Sequence, residues 1–134
     1  MGLSSKSEDY CPDEIFDVEL YDIDGSQLFN DDDGTPMTIG VIGADSDEAI
    51  KYQRNSTNRR LSAGARAKVT AEGLEAQGNG YLAALTKRWN ITMDGAKPEC
   101  TKAAALALYS TRHLSFIKEQ VNVAIEERSN FLKR

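Results

Sequence analysis

The chain has 134 residues carrying 21 acidic and 16 basic side chains, for a net charge of −5; 40% of its residues are hydrophobic and only 7% aromatic. That length sets one domain able to bury about two-thirds of its unfolded surface, with a core that must lean on Leu, Ile, Val and Ala. The charge is polarised: residues 1–50 hold 14 acidic residues and one lysine, net −13, and residues 51–134 hold 15 basic and seven acidic residues, net +8. Such asymmetry speaks of partners and solubility rather than fold, and the halves can neutralise each other within one molecule or between subunits.

Residues 1–13 are polar and are expected to form a flexible acidic arm, too poor in apolar groups to offset the entropy of ordering. From Ile15 the pattern changes. Phe16, Val18 and Leu20 alternate with Asp17, Glu19 and Tyr21, the signature of a half-buried strand. Asp24-Gly25 turns that strand, and Gln27-Leu28-Phe29 can return beside it. Residues 30–34, Asn-Asp-Asp-Asp-Gly, form an acidic loop. A calcium loop of the EF-hand kind requires an acidic residue five positions before its glycine and a glutamate six after. Phe29 and Gly40 occupy those positions, so a solvated turn is expected. Residues 37–42 read as a second strand.

Asp45 or Ser46 can cap a following helix, with Glu48 in its acidic first turn. Ile50, Thr57 and Leu61 mark its expected buried stripe, while Lys51, Arg54, Arg59 and Arg60 make the remainder basic. Ser62-Ala63-Gly64 interrupts it, a weaker helical pattern resumes over residues 65–77, and Gly78-Asn79-Gly80 reads as a breaker. Tyr81, Leu82, Leu85 and Trp89 then fall at helical spacing, with Trp89 as a core anchor. Residues 90–95 are extended and turn at Asp94-Gly95. Thr101 is placed to cap a helix over residues 102–110, and Ser115 to cap a last one over about residues 116–128, where Leu114, Ile117, Val121 and Ile125 share a face. Trp89, Leu106, Ile117, Val121 and Ile125 are expected in one core.

The fold class is therefore α+β: a small N-terminal antiparallel β-hairpin or sheet, then a mainly α-helical C-terminal part. Residues 14–134 are read as a single domain, β-rich over 14–43 and helical over 45–134.

Nothing in the pattern carries catalysis. There is no glycine-rich phosphate loop, nucleophile motif or metal-spaced cluster, and the lone His113 has no triad or ligand partner. Cys11 and Cys100 fit no metal spacing; without a long apolar run or signal-peptide pattern they are expected as free thiols in a reducing cytoplasm. The chain reads as a non-enzyme without catalytic, cofactor-binding or metal residues. The arginines of the first helix could face phosphates, but the acidic balance and the lack of an aromatic platform argue against nucleic acid.

Trp89, Gly95, Pro98, Cys100, Thr101, Ile117, Glu119, Gln120, Val121, Arg128, Asn130 and Phe131 together form a pattern that resembles the C-terminal part of tail assembly chaperones of long-tailed bacteriophages. The resemblance covers the last third of the chain. It implies a protein that binds the tape-measure protein and keeps it soluble while tail tube protein assembles around it, in the host cell cytoplasm; the residues themselves give no reason to expect a cofactor or a membrane. A structural virion subunit, such as a head-tail connector or tail component, is the alternative, and the opposed charges of the two halves would then favour self-association. Arg54, Arg59, Arg60, Trp89, Phe116 and Phe131 are the expected partner-binding residues.

Overall fold

A computed structural model describes residues 7–64 and 70–132. Three strands form one antiparallel sheet in the order β1 (Phe16–Glu19), β2 (Thr38–Val41) and β3 (Thr86–Asn90). Four helices accompany it: α1 (Asp47–Ala63), α2 (Ala71–Leu85), α3 (Lys102–Ser110) and α4 (Ser115–Glu126). The class is α+β, as the order of patterns indicates. One hydrophobic cluster joins the inner sheet face (Val18, Leu20, Ile39, Val41) to α2, α3 and α4 through Leu85, Leu108, Ile117, Val121 and Ile125.

The first strands follow their alternation. Val18 and Leu20 point inward, and Phe16 meets Phe131 edge-on at a ring separation of 6.0 Å. After β1 the chain turns over residues 22–26, with Gly25 at φ +89°, and returns so that the Leu28 amide donates to the Leu20 carbonyl at 3.0 Å. Ser46 is the cap of α1, accepting from the Ala49 amide, and Thr101 caps α3 by accepting from Ala104.

The third strand comes from within the helical half. Residues 81–89 were expected as one short helix, but the helix ends at Leu85 and Trp89 lies on β3, opposite Ile39 of β2. Pairing with β2 outweighs the helical spacing because it gives Trp89 a cross-strand neighbour. The Trp89 indole stays half-buried and donates to the Pro98 carbonyl at 2.8 Å.

Gly78-Asn79-Gly80 does not break the chain; all three lie inside α2. The helix is held by packing against α1 and α3, which routinely overrides local propensity. Asn79 is buried, and a Cβ on Gly80 would collide with the Tyr52 hydroxyl of α1. The glycine is what leaves room for the Tyr52 hydroxyl against α2.

Other expectations are corrected too. The stripe Ile50, Thr57 and Leu61 faces solvent, and α1 instead buries Ala49 and Ser56. Leu106 is 40% exposed, on the outer face of α3. Ser115 is the first residue of α4, not a cap; the 3-10 turn Arg112–Leu114 runs directly into that helix, leaving no extended residue to cap it. Residues 10–13 are tied down rather than loose. Cys11 donates to the Phe131 carbonyl at 2.7 Å, and the Gly43 amide donates to the Pro12 carbonyl at 2.8 Å.

The polarised charge is partly neutralised within the molecule. Every ion pair among the described residues joins an acid of the first 50 residues to a base beyond residue 86: Asp17 with Arg88, Glu48 with Lys87, Asp32 and Asp33 with Lys97, and Asp45 with Arg128. Arg88 reaches Asp17 with two hydrogen bonds, 2.9 and 2.7 Å, across the outer sheet face above Gly40.

Candidate functional site

Two apolar depressions flank α4. The inner one is a cleft of about 250 Å³ between sheet and helices, walled by Leu28, Met37, Ile91, Met93, Leu114 and Phe116, with Asp22 and Thr92 its polar lining residues. It is smaller than most small-molecule sites, which span about 300–1,000 Å³, and larger than the roughly 150 Å³ cavity that admits benzene. It suits one large apolar side chain. Met37 and Met93 give it walls that can adapt to shape.

The outer depression is an open groove of about 590 Å³ between the end of β1 and α4. Tyr21, Ile23, Phe116 and Val123 supply its apolar surface, with Ile23 80% and Val123 67% exposed. Glu19, Asp22, Glu119 and Glu127 surround them. Gln120 lies between, and its carboxamide is already used: Oε1 accepts from the Tyr21 amide at 2.8 Å and Nε2 donates to the Tyr21 carbonyl at 2.7 Å. Phe116 and Asp22 line both depressions, so cleft and groove share a wall.

The expected partner-binding residues are not brought together. Phe131 is 4% exposed and closes the core against Gly43 and Phe16, so it is not a contact surface. Phe116 does border both depressions. Arg59 and Arg60 line a separate cleft between α1 and α2, where Arg59 donates to Ser56 Oγ at 3.4 Å and Arg60 to Gln77 Oε1 at 2.9 Å. Arg54 is exposed on α1. Among the described residues none of these arginines pairs with a carboxylate.

Much of the pattern in the last third is spent on the fold. Gly95 takes φ +79° in the turn after β3, Thr101 caps α3, Gln120 holds Tyr21, and Asn130 Nδ2 donates to the Ala124 carbonyl at 3.1 Å. Ile23 and Val123 were missed by sequence reasoning. A lone isoleucine between Asp22 and Asp24 is a visible signal, and Phe116, Gln120 and Val123 recur on a second face of α4.

The titrating groups are structural. Burial pushes the Cys100 thiol up, away from thiolate chemistry. Hydrogen bonds from Thr35, aided by Lys97, hold Asp33 well below the usual carboxylate range, so the acidic loop is already partnered. Among the described residues no three His, Cys, Asp or Glu side chains converge as a metal site, and no helix is long and apolar enough to cross a membrane. No family model, curated protein or solved structure matches the chain.

Proposed function

We propose that the chain is a non-enzymatic assembly chaperone of long-tailed phage tails, acting in the host cell cytoplasm by binding amphipathic helices of the tape-measure protein until tail tube protein encloses them. The observation that carries this reading is the open apolar cleft between the sheet and α4. A helix laid over its mouth can seat one large apolar side chain among Leu28, Met37, Met93 and Phe116, the usual mode of helix-in-groove recognition. The charged surroundings keep such a complex in solution. The resemblance of the last third to tail chaperones supplies the identity of the partner.

Co-expression with the tape-measure protein tests it. The wild-type chain should keep that protein soluble, and Leu28→Trp, which fills the cleft, should not. Equal insolubility with and without the chain, together with recovery of the chain in purified particles, would replace the chaperone by the second reading, a structural subunit of the virion. The observation favouring that alternative is that one molecule exposes both an apolar groove edged by Glu19, Asp22, Glu119 and Glu127 and, on α1, Ile50 and Leu61 beside Arg54.

A further inference from the structure

The stripe on α1 is patterned like a core face, yet its side chains are exposed and no described element packs on it. Ile50, Arg54, Thr57 and Leu61 are spaced four, three and four residues apart, which places them on one side of a helix. All four are exposed, Leu61 by 74%. The opposite side of α1, through Ala49 and Ser56, is the one buried in the molecule. Arg54 lies on the stripe and Lys51 beside it, and neither meets a carboxylate among the described residues; Arg60 is turned toward α2, where it donates to Gln77.

The groove beside α4 is the complement of that stripe. It offers apolar surface at Ile23, Val123, Tyr21 and Phe116, where the stripe offers Ile50 and Leu61. It surrounds that surface with the carboxylates of Glu19, Asp22, Glu119 and Glu127, where the stripe carries Arg54 and has Lys51 beside it. Its central polar group, Gln120, is satisfied by Tyr21, so covering the groove strands no donor or acceptor there. A helix of 17 residues is about 25 Å long at 1.5 Å per residue, enough for three turns of contact between Ile50 and Leu61.

We propose that the groove receives helix α1 of a second copy of this chain. Because stripe and groove are different surfaces of one molecule, the contact is heterologous, and successive copies add head to tail until a ring closes or a filament grows. The charge left over after the internal ion pairs is what orients the copies. The inference goes beyond the chaperone reading: groove and cleft share Phe116 and Asp22 at their common wall, but the contact uses neither Leu28 nor the interior of the cleft.

The test is the solution mass of the full chain by analytical ultracentrifugation, for wild type, Leu61→Asp and Ile23→Asp. Both side chains are exposed, so neither variant should lose its fold, and circular dichroism checks this. Wild type should associate at low salt and fall toward the monomer in about 1 M salt, where the Debye length shrinks to roughly 3 Å. Each variant alone should be monomeric, since one lacks the stripe and the other the groove. An equimolar mixture should give a dimer and nothing larger, because Ile23→Asp still offers its helix and Leu61→Asp still offers its groove. A wild type that stays monomeric up to about 1 mM, where even contacts worth about −4 kcal/mol register, would overturn the proposal. So would variants that still associate, or a mixture that stays monomeric. If Ile23→Asp instead abolishes tape-measure solubility while wild type is monomeric, the groove belongs to that helical partner and the second copy is excluded. Loss of tape-measure binding with self-association intact removes only the chaperone reading.

Discussion

The side chain of Gln120 stands in for a neighbouring strand on the backbone of Tyr21, 99 residues away, taking its amide hydrogen at 2.8 Å and giving one to its carbonyl at 2.7 Å. The pair requires one acceptor and one donor on a single planar group. A glutamine provides both; an ionised glutamate provides acceptors only. Gln120→Ala should cost about 1 kcal/mol for the lost bonds, and Gln120→Glu more than that because a carboxylate then faces a carbonyl. The gap between the variants should close as pH falls below about 4, where the glutamate regains a proton. Urea denaturation of both at neutral and acid pH measures this. A glutamate variant as stable as the alanine variant at neutral pH would mean that the helix does not hold this strand edge.

A second pairing is buried. The Thr86 hydroxyl donates to the Leu82 carbonyl at 2.8 Å, so its one hydrogen is committed and Tyr109, at 2.6 Å, must donate to Thr86. Burial pushes the Tyr109 phenol up to about 12. A folded pKa above the ordinary value of about 10 means stability that is complete below pH 10 and is lost as pH rises through the folded value. Thr86→Val should cost about 1–3 kcal/mol by leaving the phenol without its acceptor, and Tyr109→Phe added to it should restore part of the loss. A double variant no more stable than Thr86→Val would count against the pairing.

The glycines of α2 give opposite expectations two residues apart. Gly78 has open space where a Cβ would go, whereas a Cβ on Gly80 collides with the Tyr52 hydroxyl, which donates to the Gln77 carbonyl at 3.3 Å. Gly78→Ala should therefore raise stability by about 0.5–1 kcal/mol, the usual gain from alanine inside a helix. Gly80→Ala has the same helix gain but must displace the Tyr52 hydroxyl from the Gln77 carbonyl, and should lose up to about 1 kcal/mol. Melting temperatures moving the same way in both variants would show that Tyr52 does not constrain Gly80.

What could be read in the sequence were the features whose cause is local. Phe16, Val18 and Leu20 alternate because one sheet face is wet, and Ser46 and Thr101 mark helix starts because their hydroxyls serve free amides. Ile117, Val121 and Ile125 share a face whatever they pack on. The features misread have distant causes. Residues 78–80 look like a breaker until Tyr52 is known to lie against Gly80. Trp89 looks helical until Ile39 is known to pair with it. The stripe on α1 reads as core because spacing reports that a face is apolar, not which molecule covers it. Of the expected contact residues, Phe116 borders both depressions and Phe131 is core. Ile23 went unnoticed because an isoleucine in an acidic turn has no period to belong to.

The N-terminal segment supplies the last expectation. Tyr10 donates to a carboxylate oxygen of Asp45, and Arg128 Nε donates to the same oxygen at 2.7 Å. Hydrogen bonds from Arg128 and then Tyr10 hold the Asp45 carboxyl below its ordinary value, while burial and the bond to Asp45 push Tyr10 up to about 12. The signs oppose. The depressed Asp45 contributes stability present above about pH 4 and lost as pH falls through its folded value; the raised Tyr10 contributes stability present below about pH 10 and lost as pH rises through 12. Asp45→Asn should weaken both limbs of the stability profile, although Asp33 keeps part of the acid one. Deleting residues 1–13 removes this triad, the Cys11 bond to Phe131, the Pro12 bond to Gly43, and the Asp13 carboxylate that accepts from the Asp47 amide at 2.9 Å. At about 1 kcal/mol for each hydrogen bond, the truncated chain should lose a few kcal/mol in urea denaturation. A truncated chain of unchanged stability would mean that residues 10–13 lie on the molecule without holding it.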